Sequence, residues 1–85
     1  MNTNYKEIPE FAMETMNNYI ENGWHPGQFF EAVFSNNLFK AFAFSDEESQ
    51  ENLFLYVKYI YNKAPTGCHG SVKKFNAWIK DGGKQ

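Results

Sequence analysis

The chain contains no arginine, one cysteine, three prolines and no long apolar run. Each scarcity excludes something. All eight basic residues are lysine, so no guanidinium fork is available to grip a phosphate or a guanine edge in bidentate fashion. Sequence-specific reading of nucleic acid is therefore not expected. A single cysteine, Cys68, cannot form a disulfide within the chain. The opening "MNTNYKEIPE" lacks the apolar stretch of a secretory signal, and no segment approaches the roughly 18 apolar residues of a membrane span. A cytoplasmic protein that does not enter the membrane is the expectation, with no cofactor and no metal site.

What the chain has in quantity is aromatic side chains. Nine Phe, five Tyr and two Trp occur among 85 residues. A chain this short buries only about 60% of its unfolded surface. Each aromatic can bury roughly 150–250 Å², which makes a small core feasible without a staple. One domain, 1–85, is expected, with 1–7 and 81–85 as flexible ends. The net charge of −2 hides an asymmetry. Residues 1–56 carry nine acids and two lysines, whereas 57–85 carry six lysines and Asp81. Solvated helix faces account for this pattern; a molecule with an acidic and a basic end is the functional alternative. The net charge is too small for a mimic of DNA.

The periodicity is helical almost throughout, and an all-α bundle of four or five short helices around a central helix at about 46–62 is predicted. Pro9 suits the first position of a helix that runs to Asn22, where its missing N–H costs nothing. Ile8, Ala12, Met16, Tyr19 and Ile20 give it an apolar face, and Gly23 stops it. Pro26 starts a second helix with Phe29, Phe30, Val33 and Phe34 on one side. "SNN" at 35–37 supplies caps. A short third helix follows, with Leu38, Phe39, Phe42 and Ala43 expected inward. "SDEE" reads as a capping box, Ser45 capping and Glu48 reaching back. In the long helix beyond it Leu53, Tyr56, Val57 and Ile60 form the main stripe, widened by Phe54 and Tyr61. Leu55 and Tyr59 fall nearly opposite. A helix apolar almost all round is either buried or part of an oligomer interface. Ser71 caps a last helix, in which Val72, Phe75, Trp78 and Ile79 share a face and Gly82-Gly83 end the run.

Two loops carry the residues with chemical potential. "TGCHGS" sets Cys68 beside His69. A structural zinc site needs about four ligands, and Cys68, His69 and His25 supply three. A nucleophilic thiol needs a histidine within reach and a third group to orient it, which sequence neighbours rarely provide. Gly67 and Gly70 offer an anion cradle at the start of the last helix, with Lys73 and Lys74 nearby. The simplest reading is a turn: Pro65 stops one helix, Gly67 and Gly70 permit a tight path, Ser71 caps the next, and Cys68 is a small buried hydrophobe. The turn ranks first, the ligand loop second, the active site last. In "GWHPG", Trp24 suits the core better than the alternative of an interface anchor, and His25 suits a hydrogen-bonded loop. If the loops adjoin, Trp24, His25, Gly27, Cys68, His69, Gly70, Lys73 and Lys74 form one binding surface, with Trp78 at its margin.

Across nearly the whole chain after Ile8, a motif series resembles a set of small proteins encoded by phages and prophages. It comprises Tyr19-Ile20 with Gly23, Pro26-Gly27 with Phe29, Ala32-Val33, Asn37-Leu38, Asp46, Tyr61-Asn62, Ala64-Pro65, Cys68, Gly70-Ser71 and Trp78. His69 stands where that pattern has a second aromatic. The resemblance implies a phage-type accessory protein acting in the host cytoplasm without catalysis, by binding and countering a host defence system or host enzyme. The alternative is an oligomer that sequesters a small anionic nucleotide signal. A thiol-dependent enzyme using Cys68 is the remote third.

Overall fold

A computed structural model describes residues 5–83. Five α-helices follow one another: α1 (Glu10–Asn22), α2 (Gln28–Phe34), α3 (Leu38–Ala43), α4 (Glu47–Lys63) and α5 (Val72–Lys80), with short 3-10 turns at Tyr5–Glu7 and Thr66–Cys68. No strand occurs among the described residues. The expected all-α single domain is what forms. Its Cα radius of gyration, 11.9 Å, matches the value of about 12 Å that chain length gives for one compact unit. Of the ends expected to be flexible, Tyr5–Glu7 are helical and Asp81–Gly83 close α5; 1–4 and 84–85 lie outside the described residues.

Local chemistry explains the helix ends. Pro9 sits one position earlier than expected, as the residue before α1, and its carbonyl accepts from Ala12 and Met13 N–H, each at 3.0 Å. Gly23 ends α1 at φ 71°, a left-handed conformation suited to glycine. α2 begins at Gln28, two residues after Pro26, and closes with Asn36 at φ 63°. There Asn36 N–H reaches Val33 O and Asn37 N–H reaches Ala32 O, the paired bonds of a Schellman ending. Asn37 Oδ1 then caps α3 by accepting from Lys40 N–H at 3.0 Å.

The cap of α4 differs from the capping-box reading. Asp46, not Ser45, accepts from Ser49 N–H, at 2.8 Å. Ser45 turns back and donates to Phe42 O at 2.6 Å, closing α3. With α3 ending immediately before it, the Ser45 hydroxyl is committed to the earlier helix. Ser71 caps α5 as expected, accepting from Lys74 N–H at 3.1 Å.

Tyr19 is the hub of the core. Its fully buried ring stacks on Phe75 at 5.1 Å and lies tilted against Phe34 at 4.3 Å. Its hydroxyl donates to Cys68 O at 2.7 Å, and its carbonyl accepts from Trp78 Nε1 at 3.0 Å. One α1 residue thus holds α2, the 66–68 turn and α5. Gly23 and Gly83 meet backbone to backbone beside it: a Cβ on Gly23 would lie 2.6 Å from Gly83 N. Val72, expected on the buried face of α5, is exposed at the first position of that helix.

Two expectations about the core fail together. In α3 only Ala41 is buried; Leu38, Phe39, Phe42 and Ala43 point outward. α3 packs most closely on α2, and both helices bury an alanine, Ala32 and Ala41. Small side chains permit that approach, and the large ones are left on the far side. In α4 the buried residues are Tyr56 and Ile60, with Leu55 and Tyr59 partly buried. Leu53 is only half-buried and Val57 is 43% exposed, so neither is core. The rotation has a visible cause. Phe29 and Phe30 pack on Tyr56, Tyr5 packs edge-on to Tyr59, and Tyr59 donates to Asn17 Oδ1 at 2.8 Å. These contacts draw the 56–59–60 side inward and turn the 54–57–61 side out.

Candidate functional site

The cysteine turn is built as a structural element. Pro65 stops α4, a 3-10 turn carries Thr66–Cys68, and Gly70 at φ 116° donates its N–H to Phe34 O at 2.8 Å. Only Gly70 needs glycine for its φ. Gly67 has no left-handed backbone, and a Cβ there would make only ordinary contact with Trp78. Cys68 is fully buried, and burial pushes its thiol up to about 11. A thiol so held is protonated at neutral pH and is a poor nucleophile. Burial, with Lys74 adding to it, lowers the His69 pKa, and His69 Nε2 is enclosed without a hydrogen-bond partner. Lys74 Nζ reaches back to Thr66 O at 3.4 Å, which spends part of its donor capacity on the turn itself. Lys73 is exposed one residue earlier.

The other loop lies elsewhere. Trp24, expected in the core, is 61% exposed, because the peptide turns outward after Gly23 and Pro26 takes the buried position. His25 is the hydrogen-bonded loop histidine anticipated for it. Gly27 N–H donates to Nδ1 at 3.1 Å, which leaves the ring proton on Nε2, and Nε2 donates to Glu31 Oε1 at 3.0 Å. The ring also packs edge-on against Phe75.

Gly27 precedes the first residue of α2 and Gly70 bonds the last. The two loops therefore flank opposite ends of a helix about 10 Å long. Cys68 is inside, Trp24, His25 and Gly27 sit at one end, and His69 and Gly70 at the other. The single eight-residue surface is not assembled, although His69, Gly70 and Lys74 do share one region.

That region opens onto a larger feature. A hollow of about 320 Å³ lies between α3, α4 and the 69–70 turn. Leu38, Leu53, Val57 and Tyr61 form its apolar walls, and Asn36, Asn37 and His69 its polar end. A shallower hollow beside it shares Leu38 and Leu53 and is completed by Phe39 and Phe42. Together they make one apolar face, on which Phe39 is 87% and Tyr61 78% exposed; Phe54, also 87% exposed, extends it along α4 two turns before Tyr61. Chemically the face suits apolar and aromatic contact with a few polar groups at one edge. Among the described residues no group of three or more His, Cys, Asp or Glu is placed to hold a metal ion. No described helix is long and apolar enough to cross a membrane.

The loop-centred reading missed this face. The available signal was α4 itself, apolar on more sides than a single packing interface can cover, followed by Phe39 and Phe42 in a helix too short to bury both. Compared with protein-family models, with curated proteins and with solved structures, the chain matches none.

Proposed function

We propose that this chain acts by binding and not by catalysis: a phage-type accessory protein that docks a host defence protein or host enzyme in the host cytoplasm through the α3–α4 face. The observation that carries the reading is that outward Phe39, Phe42 and Tyr61 line two adjoining apolar hollows, with Phe54 exposed two turns before Tyr61 on α4. Large aromatics at such exposure are costly in water, and they are the residue types that anchor protein interfaces. The phage-type origin rests on the motif resemblance, from Tyr19-Ile20 to Trp78.

A second reading, capture of a small anionic ligand, draws on Asn36, Asn37 and His69 at the polar end of the hollow. It is the weaker reading, because the walls are apolar and neither Lys73 nor Lys74 lines the hollow. The thiol-enzyme reading has least support, since Cys68 is buried and its thiol is held protonated.

The test pairs capture with surface variants. Wild type, Phe39→Asp, Phe54→Asp and, as a control away from the face, Lys73→Glu are immobilised and exposed to host lysate. Any captured protein is then purified and titrated. Loss of binding in the two face variants but not in the control supports the reading. A partner held equally by all four, or calorimetric binding of a nucleotide with no protein partner, refutes it.

A further inference from the structure

The α3–α4 face is also self-complementary, and we infer that in the absence of a target a second copy of this chain covers it, with the two α4 helices antiparallel. This rests on the α3–α4 face being the docking face, and it adds how that face is kept out of water beforehand.

The first observation is area. At the exposures of Phe39, Phe42, Phe54 and Tyr61, the four aromatics leave roughly 600 Å² uncovered, and Leu38 and Val57 add to this. A monomer's largest apolar patch is about 300–600 Å², whereas a stable interface takes about 800 Å² from each partner. The face lies at the size of one side of a dimer.

The second observation is charge. On α4, Phe54, Val57 and Tyr61 recur at helical spacing and form the outer apolar strip. Glu51 and Lys58, both exposed, stand two turns apart along one edge of that strip. A two-fold axis normal to the plane of two antiparallel helices keeps each edge beside its own copy. Setting Phe54 of one chain against Val57 of the other places Tyr61 beside Gln50, and Glu51 within one turn of the second copy's Lys58. The pairing occurs twice by symmetry. Along the opposite edge the two α3 helices come together, and Leu38, Phe39 and Phe42 cover one another. A parallel two-fold arrangement would instead carry the Glu51–Lys58 edge of one copy to the far side of the seam from that of the other, opposite the Leu53–Ile60 edge, and neither ion pair would form. The face thus selects antiparallel packing by charge as well as by shape.

The experiment is sedimentation equilibrium over a concentration series at low and moderate salt. The variants are Phe54→Asp, Glu51→Lys, Lys58→Glu and the Glu51→Lys/Lys58→Glu double exchange, each checked for wild-type helicity by circular dichroism. One chain weighs 9.9 kDa, so wild type is expected at about twice that mass, and Phe54→Asp at the mass of one chain. Each single charge change should weaken association roughly 2- to 30-fold, the range for two lost surface pairs, and the double exchange should restore it. A wild type of single-chain mass throughout, a dimer indifferent to Phe54→Asp, or a double exchange no better than the singles overturns the inference. The docking reading fails differently: a monomeric wild type that still captures a partner through Phe54 sinks only the dimer. A dimer broken by Phe54→Asp whose partner capture is unaffected sinks only the docking.

Discussion

Replacing Tyr19 by Phe removes one oxygen from the centre of the molecule and nothing else. The ring keeps its stack on Phe75 and its tilted contact with Phe34. What disappears is the 2.7 Å bond to the Cys68 carbonyl, in a place where both residues are fully buried. The stranded carbonyl sets the size of the effect: a buried acceptor left unpaired costs about 1–3 kcal/mol, more than the net worth of an average hydrogen bond. A domain of this length is stabilised by roughly 4–13 kcal/mol in all. Each kcal/mol moves Tm by about 4–8 °C in a domain of this size, so the melting temperature should fall by roughly 5–20 °C. Urea unfolding followed by circular dichroism measures the loss directly. Tyr59→Phe is the control: it gives up a bond to Asn17 that is only partly buried and should cost less. If Tyr19→Phe matches wild type within about 0.5 kcal/mol, or falls no further than Tyr59→Phe, the hub role of the hydroxyl is wrong. A pH dependence accompanies it. Burial, with Cys68 adding to it, raises the Tyr19 pKa above its ordinary 10.0. The folded state favours the protonated phenol, so its contribution is complete below pH 10 and is lost as pH rises beyond it.

Ile60→Ala should cost about 2–5 kcal/mol, while Val57→Ala, on the outer strip of the same helix, should stay within about 1 kcal/mol; paired denaturation curves decide whether the stripe is rotated as described. Cys68 should resist alkylation in the native protein at pH 7 and react at once in urea, and rapid native labelling would contradict its burial. Because its folded pKa is raised from 9.0 to about 11, the stabilising contribution of the Cys68 thiol should fade across that interval, and Cys68→Ala should remove that part of the alkaline loss. Partner binding should survive Cys68→Ala in protein that keeps its fold. Gly23→Ala should destabilise by more than about 1 kcal/mol, combining a left-handed φ with a clash against the Gly83 backbone; a melting curve indistinguishable from wild type would show that the two backbones can separate freely.

Helix number and order were legible because they rest on short-range chemistry: Pro9, Gly23, Asn37, Pro65 and Ser71 mark starts and stops wherever the helices end up. The buried face of α1 was legible too, since Ala12, Met16, Tyr19 and Ile20 leave its other sides polar enough to choose between. α4 offers no such choice. With apolar residues on most of its circumference, periodicity cannot say which arc faces the core, and the answer came from partners far away in sequence, Tyr5, Asn17, Phe29 and Phe30. The α3–α4 face was illegible for the same reason. Trp24 is a residue type expected in the core, but exposure is a tertiary property, and the outward turn after Gly23 left it on the surface, whereas Cys68 is buried as the turn reading has it. The histidines divided: His25 found its hydrogen-bond partners within six residues, whereas the surroundings of His69 depend on α3 and α4.

The position of Tyr19 also bears on when this chain can fold. Its bonds to Cys68 and Trp78 span 49 and 59 positions, and its ring meets Phe75 only when α5 exists. During synthesis, α1 through α4 emerge with their central residue unsatisfied on three sides. A helix of α1's length is marginal alone in water. The nascent chain therefore cannot complete the core around Tyr19 until α5 has emerged. Over that interval its many aromatics are uncovered, so the chain is most open to proteases and to aggregation before its last helix is made.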